Sequence, residues 1–118
     1  GSEMCIRDRQ MDICSCGGLT EAKRITALSS TKGVKVIPHT WGSGIAFFTA
    51  INFISNLEPI PGRLYQEDAY IEYDRTENKI RENIIKNNIV MKDGYIEVNT
   101  KPGLGIDVDE TYLNKVKI

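Results

Sequence analysis

The apolar positions of this chain change their spacing every dozen residues or so, and from Gln10 onward the changes mark strands alternating with helices. Met11 to Cys14 reads as a short strand, followed by Gly17-Gly18 and by Thr20 as the amino cap of a helix reaching about Lys32. Ala22, Ile25 and Leu28, with Ala27 beside them, form its inward face, and Gly33 stands where a helix ends in a left-handed residue. Val34 to Pro38 is a β-branched strand that runs straight into the glycine-rich loop His39-Thr40-Trp41-Gly42-Ser43-Gly44. The next helix, Ile45 to Asn56, is apolar almost all round, which predicts burial between neighbours, and a proline-rich segment ends it. Ala69 to Tyr73 reads as a third strand. Asn78 to Lys86 reads as a short helix with Ile80, Ile84 and Ile85 turned inward. Ile89 to Met91 and Tyr95 to Val98 flank Asp93-Gly94 as a hairpin, and a glycine-rich turn, Pro102 to Gly105, precedes a terminal helix from Asp109.

Strands separated by helices call for a parallel sheet with helices outside it, because parallel strands need a crossover. The predicted class is therefore α/β. A closed eight-unit barrel takes ~250 residues, and only three units fit into the 118 residues here.

Composition narrows the function classes. Fifteen basic against sixteen acidic residues provide no broad positive field, so nucleic acid and anionic membranes are not expected partners. The longest apolar stretch, Gly44 to Leu57, is interrupted by Thr49, Asn52, Ser55 and Asn56 and falls short of a bilayer span. No secretory signal pattern opens the chain, and cytoplasmic residence is the default expectation. Cys5, Cys14 and Cys16 are expected to be free thiols, the last two as small side chains beside a core, and a single histidine is too few for a Cys/His zinc site. Gly1 to Arg9 has no periodic apolar face. Glu3 to Arg9 resembles translated sequencing-adapter read-through and Gly1-Ser2 a tag remnant, so residues 1–9 are expected to be a non-native leader in no core element.

Asp12 and His39 each sit at or just past a strand, before a glycine-containing loop, which is where parallel barrels carry their chemistry. A carboxylate bonded to one imidazole nitrogen fixes the tautomer and leaves the other nitrogen to move a proton. Spacing alone leaves a second reading open, in which Asp12 caps a turn and His39 is a satisfied loop residue.

The succession Asp12, Gly17-Gly18-Leu19-Thr20-Glu21-Ala22, then Val34-Lys35-Val36-Ile37-Pro38-His39, resembles the carboxyl-terminal barrel region of enolase-superfamily enzymes of the mandelate racemase and muconate lactonizing type. Trp41-Gly42-Ser43-Gly44, the segment Ile71 to Asn78 and Pro102-Gly103-Leu104-Gly105-Ile106 resemble the members that act on sugar acids. The resemblance runs from Gln10 to the end and implies part of a TIM-like (β/α)7β barrel over residues 10–87. It implies a hairpin and helix over residues 88–118 that return toward a capping domain. It also implies a dyad of Asp12 and His39, whose separation (39 − 12 = 27) and intervening Gly-Gly helix suit the family pattern.

The implied reaction is magnesium-dependent. The cation holds the substrate carboxylate, a base removes the neighbouring proton, and an enediolate forms. His39 would be that base, or the acid that protonates a departing hydroxyl. Glu72, on an Ile-Glu-Tyr strand end, would hydrogen-bond the substrate carboxylate, burial making it a donor. Glu58 is its competitor, because the insertion Ile60 to Tyr70 permits another alignment. Trp41 would line the substrate pocket, or else pack beneath the loop. The family's three metal carboxylates and its lysine motif lie on earlier strands with no counterpart here, so this chain alone is expected to bind no magnesium and to be inactive. Asp68, Asp74 and Glu77 suit solvated-loop roles, and Arg75 a surface ion pair. The expected parent is a homo-oligomeric sugar-acid dehydratase (a lyase). The neighbouring possibilities are a sugar-lactone cycloisomerase, a racemase or epimerase, or a non-catalytic remnant.

Overall fold

The computed structural model describes residues 8–62 and 64–117. Strand β1 (Asp8–Arg9) pairs in parallel with β2 (Lys35–Val36), in the register Asp8 to Lys35 and Arg9 to Val36. The ladder continues past both: Ile37 N donates to Arg9 O at 3.0 Å and His39 N to Met11 O at 2.8 Å, and Asp12 and His39 form a further parallel bridge. Two expectations are corrected here. Asp8 and Arg9, assigned to a leader, belong to the first strand; residues 1–7 lie outside the described part. The strand expected at Met11 to Cys14 ends at Asp12, where the chain turns: Ser15 N and Cys16 N both donate to Asp12 O, at 3.2 and 2.8 Å.

That turn puts Cys14 in solvent and leaves Cys16 half-buried against the core, so only Cys16 behaves as expected; both are free thiols. Helix α1 (Leu19–Ser30) is entered from Gly18, whose positive φ of 84° replaces the side-chain cap expected of Thr20. Its inward face is narrower than its spacing predicts. Ala22 is buried and Ile25 packs on the core, whereas Leu28 is 72% exposed, because the described residues place no layer beyond that end of the helix.

Helix α2 (Gly44–Ser55) meets its expectation, burying Phe47, Phe48, Ala50, Ile51, Phe53 and Ile54. It joins two clusters: Met11, Ile13, Ala22 and Val36 lie on one side, Ile84 and Ile85 on the other. Ser43 accepts from Ala46 N at 3.2 Å and starts the helix directly after the loop that follows β2. Residues 69–73 form no ladder, contrary to the strand expected there, and are tied to β2 through side chains. Lys35 Nζ donates to Asp68 O at 2.8 Å and stacks on Tyr70 at 4.2 Å, and Thr40 Oγ1 donates to Glu72 O. The segment thus runs beside β2 in the same direction, held by groups that substitute for backbone pairing.

Helix α3 (Lys79–Asn83) is capped by Asn78, whose side chain accepts from Ile80 N and Arg81 N and donates to Gly42 O at 3.2 Å. Ile84 and Ile85 are buried as expected, but Ile80 is 48% exposed, since a helix of five residues brings only one face to α2. The hairpin β3 (Met91–Lys92) and β4 (Tyr95–Ile96) turns on Asp93 (φ 51°) and Gly94 (φ 84°). Asp109 caps α4 (Glu110–Val116), accepting from Tyr112 N at 2.9 Å.

Candidate functional site

Side chains alternate along paired strands, and this alternation sorts the site. Met11, Val36, Pro38 and Thr40 are buried on one face, so Gln10, Asp12 and His39 stand on the other. At its carboxyl end Glu72 arrives from the adjoining segment. His39 Nδ1 lies 2.6 Å from Glu72 Oε2, Thr40 N donates to the same oxygen at 3.3 Å, and the Gln10 side-chain amide donates to Glu72 Oε1. Both carboxylate oxygens are therefore engaged, and three stretches of chain converge on one group.

The expected pairing of Asp12 with His39 takes a different form. Their backbones are bridged, which puts the residues side by side, but the Asp12 carboxylate turns back on its own loop. Oδ1 accepts from Cys14 N at 2.7 Å and Ser15 N at 3.3 Å, and Oδ2 accepts from Ser15 Oγ at 3.0 Å. Among the described residues the carboxylate bonded to His39 is that of Glu72. The turn-capping role left open for Asp12 is the one observed. The Cys14 thiol beside this loop is pushed up by desolvation and by Asp12 and Cys16, which opposes thiolate chemistry there.

Glu72 and Glu58 separate clearly. Glu58 is exposed and lines a groove with Lys35 and Tyr70, at the amino end of β2, whereas His39 lies at the carboxyl end. Glu72 is not buried as expected: its side chain is 35% exposed and that of His39 49%, so the open face reaches both groups. Trp41 is 69% exposed, which excludes packing beneath the loop. Arg75 lies over the Tyr73 ring at 5.3 Å in place of the expected ion pair.

The buried guanidinium is Arg81, which the sequence reading missed. It donates to Asp74 Oδ2 at 2.8 Å and to Thr76 O, and so binds the segment after Glu72 to α3. Hydrogen bonds from Thr76 and from Arg81 lower the Asp74 carboxyl from 3.8 to about 2, so it is no loose loop charge. Gln10 was also missed, although its position two residues before Asp12 places it on the same strand face. No three His, Cys, Asp or Glu side chains among the described residues converge to hold a metal ion. These residues therefore do not by themselves fit a divalent cation. No helix of the described residues is long and apolar enough to cross a membrane.

The Enolase C-terminal domain-like family model matches residues 5–112. The chain is 31% identical to D-galactarolactone cycloisomerase of Agrobacterium fabrum over 92% of its own length and 29% of that protein's. It is 30% identical to D-galactonate dehydratase of Cronobacter sakazakii, over 86% of this chain and 26% of that protein. The crystal structure of the 3,6-anhydro-D-galactonate cycloisomerase from Zobellia galactanivorans superposes with a TM-score of 0.79 at 40% identity, covering 94% of this chain and 29% of that one. An enolase from Pantoea ananatis with bound D-gluconate and magnesium matches at 28% identity and a TM-score of 0.69, over 92% of this chain and 25% of that one. The chain thus spans less than a third of the length of each protein it matches.

Proposed function

Since the chain belongs to the Enolase C-terminal domain-like family, and its α/β fold is that of a stretch of the family's barrel, we propose that it is the proton-transferring part of a longer enzyme acting on sugar acids or their lactones. The observation that carries this reading is the contact of His39 Nδ1 with Glu72 Oε2 at 2.6 Å, at the carboxyl end of β2. With the proton on Nδ1 the imidazole donates to the carboxylate, and Nε2 keeps a lone pair toward the open face. A sugar acid placed there loses the proton next to its carboxylate to Nε2, and the electron pair moves into that carboxylate as an enediolate. The Glu72 carboxylate offsets the positive charge that develops on the ring. Trp41 offers its exposed indole to the apolar face of the sugar, and Asp12 shapes the neighbouring turn.

Collapse of the enediolate breaks the carbon–oxygen bond at the next carbon, and the imidazolium returns its proton to the departing oxygen. If that oxygen belongs to a ring, the reaction is a cycloisomerization; if it is a hydroxyl, water leaves. The 40% identity to a cycloisomerase structure and the 31% identity to a second cycloisomerase favour ring opening. The 30% identity to a dehydratase supports the loss of water that the sequence reading placed first. A magnesium ion would stabilise the enediolate, and the gluconate-bound and magnesium-bound relative supports its use. Its ligands would come from outside this chain. We place the parent enzyme in the cytosol as a homo-oligomer.

The test is exchange of the proton next to the carboxylate in deuterium oxide, followed by proton NMR. It uses the longer protein with 3,6-anhydro-galactonate, galactarolactone and galactonate as substrates. Exchange should occur with at least one of them and be lost in His39→Asn, and the product distinguishes ring opening from dehydration. Exchange that persists undiminished in His39→Asn refutes the assignment.

A further inference from the structure

We infer that the groove between α1 and α2 receives a second copy of this chain, related by a two-fold axis; this names the surface of the homo-oligomer placed above and rests on that assignment. The groove holds about 760 Å³ and is separate from the site, since neither His39 nor Glu72 lines it. Its α1 side is the stripe Leu19, Lys23 and Ala27, exposed residues that helical spacing stacks on one face. Its α2 side is Phe53 with Leu57, Pro59 and Pro61. The turn carrying Leu104 completes the lining and is tied to α2 by Asn52, whose side-chain amide donates to Leu104 O at 3.2 Å and to Phe48 O at 2.9 Å. The groove is therefore built before anything enters it.

The charges at the groove select its occupant. Lys23 comes from the α1 side and Glu58 from just past α2; both are exposed, and neither makes an ion pair among the described residues. Turning a second copy about a two-fold axis through the groove sets Lys23 of each against Glu58 of the other, so one pairing is made twice. A partner of a single sign would be repelled by one of the two. Apolar surface to bury is also at hand. Leu64 and Tyr65 are the most exposed large apolar side chains among the described residues, and they follow Pro61 closely in sequence. Tyr65 lines a second hollow that shares Thr26, Ser30, Leu57, Glu58 and Pro59 with the first, so the two adjoin as one trough. Its combined lining is comparable to the ~20–30 residues that each side of a stable interface contributes.

Sedimentation velocity of the 118-residue chain and of the longer protein reads the assembly, and both should associate as dimers or as multiples of dimers. Lys23→Glu and Glu58→Lys each set like charges together twice and should raise the dimer Kd at least about tenfold. Their circular dichroism should stay unchanged, because both side chains are exposed. Mixed in equal amounts, the two variants should pair with each other as tightly as the unmodified chain pairs with itself, and the double variant should dimerise alone. Ala27→Arg, which fills the groove with a good helix former, should abolish association without unfolding the chain. A monomeric unmodified chain removes the homo-oligomer and the inference with it. A dimer indifferent to Lys23→Glu and Glu58→Lys, or a mixture of the two that fails to associate, keeps the homo-oligomer and overturns this surface. Association confined to the short chain assigns the groove to the longer protein's own residues, which also overturns the inference. None of these readouts depends on proton exchange, so failure of the His39→Asn test leaves them to decide the surface separately.

Discussion

Gly44 opens helix α2 where α3 presses closest against it, and replacing it by alanine should weaken the fold although alanine is the better helix former. A Cβ added at Gly44 would lie 2.5 Å from Arg81 O and 2.8 and 2.9 Å from Ile85 Cδ1 and Cγ1. Ordinary carbon contacts need about 3.5–4.0 Å, so something must move by the better part of an ångström. Ile85 is buried in the cluster with Phe47, Phe48 and Ile51 and has little room, and the Arg81 carbonyl is helix backbone that no rotamer change can withdraw. Overpacking of this kind costs about 1–3 kcal/mol. The helix-propensity gain of Gly→Ala is at most about 1 kcal/mol in a helix interior and smaller in a first turn. The net loss is therefore about 1–2 kcal/mol, which lowers the urea midpoint by roughly 0.5–1 M for a slope of ~2 kcal/mol/M. Equilibrium unfolding followed by far-ultraviolet circular dichroism reads this directly. Ile85→Val, which removes Cδ1, should recover part of the loss in the double variant and leave the part due to Arg81 O. A Gly44→Ala chain as stable as its parent would refute the close approach of the two helices.

Two further outcomes concern the supports of the site. Asp74 has its carboxyl lowered from 3.8 to about 2 by Thr76 and Arg81, so its folded value lies below its unfolded one. Its contribution to stability is complete above pH 3.8 and is lost as the pH falls through about 2; Asp74→Asn should flatten the stability–pH curve within that window, and an unchanged curve would remove the contact. Ser43 caps α2 through Ala46 N at 3.2 Å, and Ser43→Ala should cost about 1 kcal/mol, with Ser43→Asp close to the parent in the same unfolding assay.

The extent to which this fold could be read in advance follows the range of the forces involved. Helix α2 was legible because its burial is written into nearly every position from Ile45 to Ile54. The hairpin was legible from Asp93-Gly94, whose positive backbone angles are a local demand. The segment at Ala69 to Tyr73 carries a strand's composition, yet its backbone makes no ladder; composition reports preference, and pairing depends on distant neighbours. Leu28 and Ile80 obey helical spacing and still face outward, because spacing marks a face without saying whether another layer covers it. Arg81 gave no signal in sequence, since its burial depends on Asp74 and Thr76 folding over it.

The same contrast of range explains the partner of His39. Asp12 competes for two kinds of donor. The amides of Cys14 and Ser15 are two and three residues away and are brought to its carboxylate by the turn itself, so satisfying them costs little additional chain entropy. The imbalance matters because a carboxylate already accepting three hydrogen bonds gains less from a fourth than an uncommitted one gains from its first. Glu72 has no such local sink: the donors at its carboxylate, Gln10, His39 and Thr40, all come from 32 or more residues away. Its carboxylate can therefore be held only by tertiary structure, and the tertiary structure delivers the imidazole. Spacing correctly placed Asp12 and His39 next to each other as bridged neighbours on adjacent strands. It could not rank two carboxylates by their prior commitments, and that ranking decides which of them bonds the imidazole.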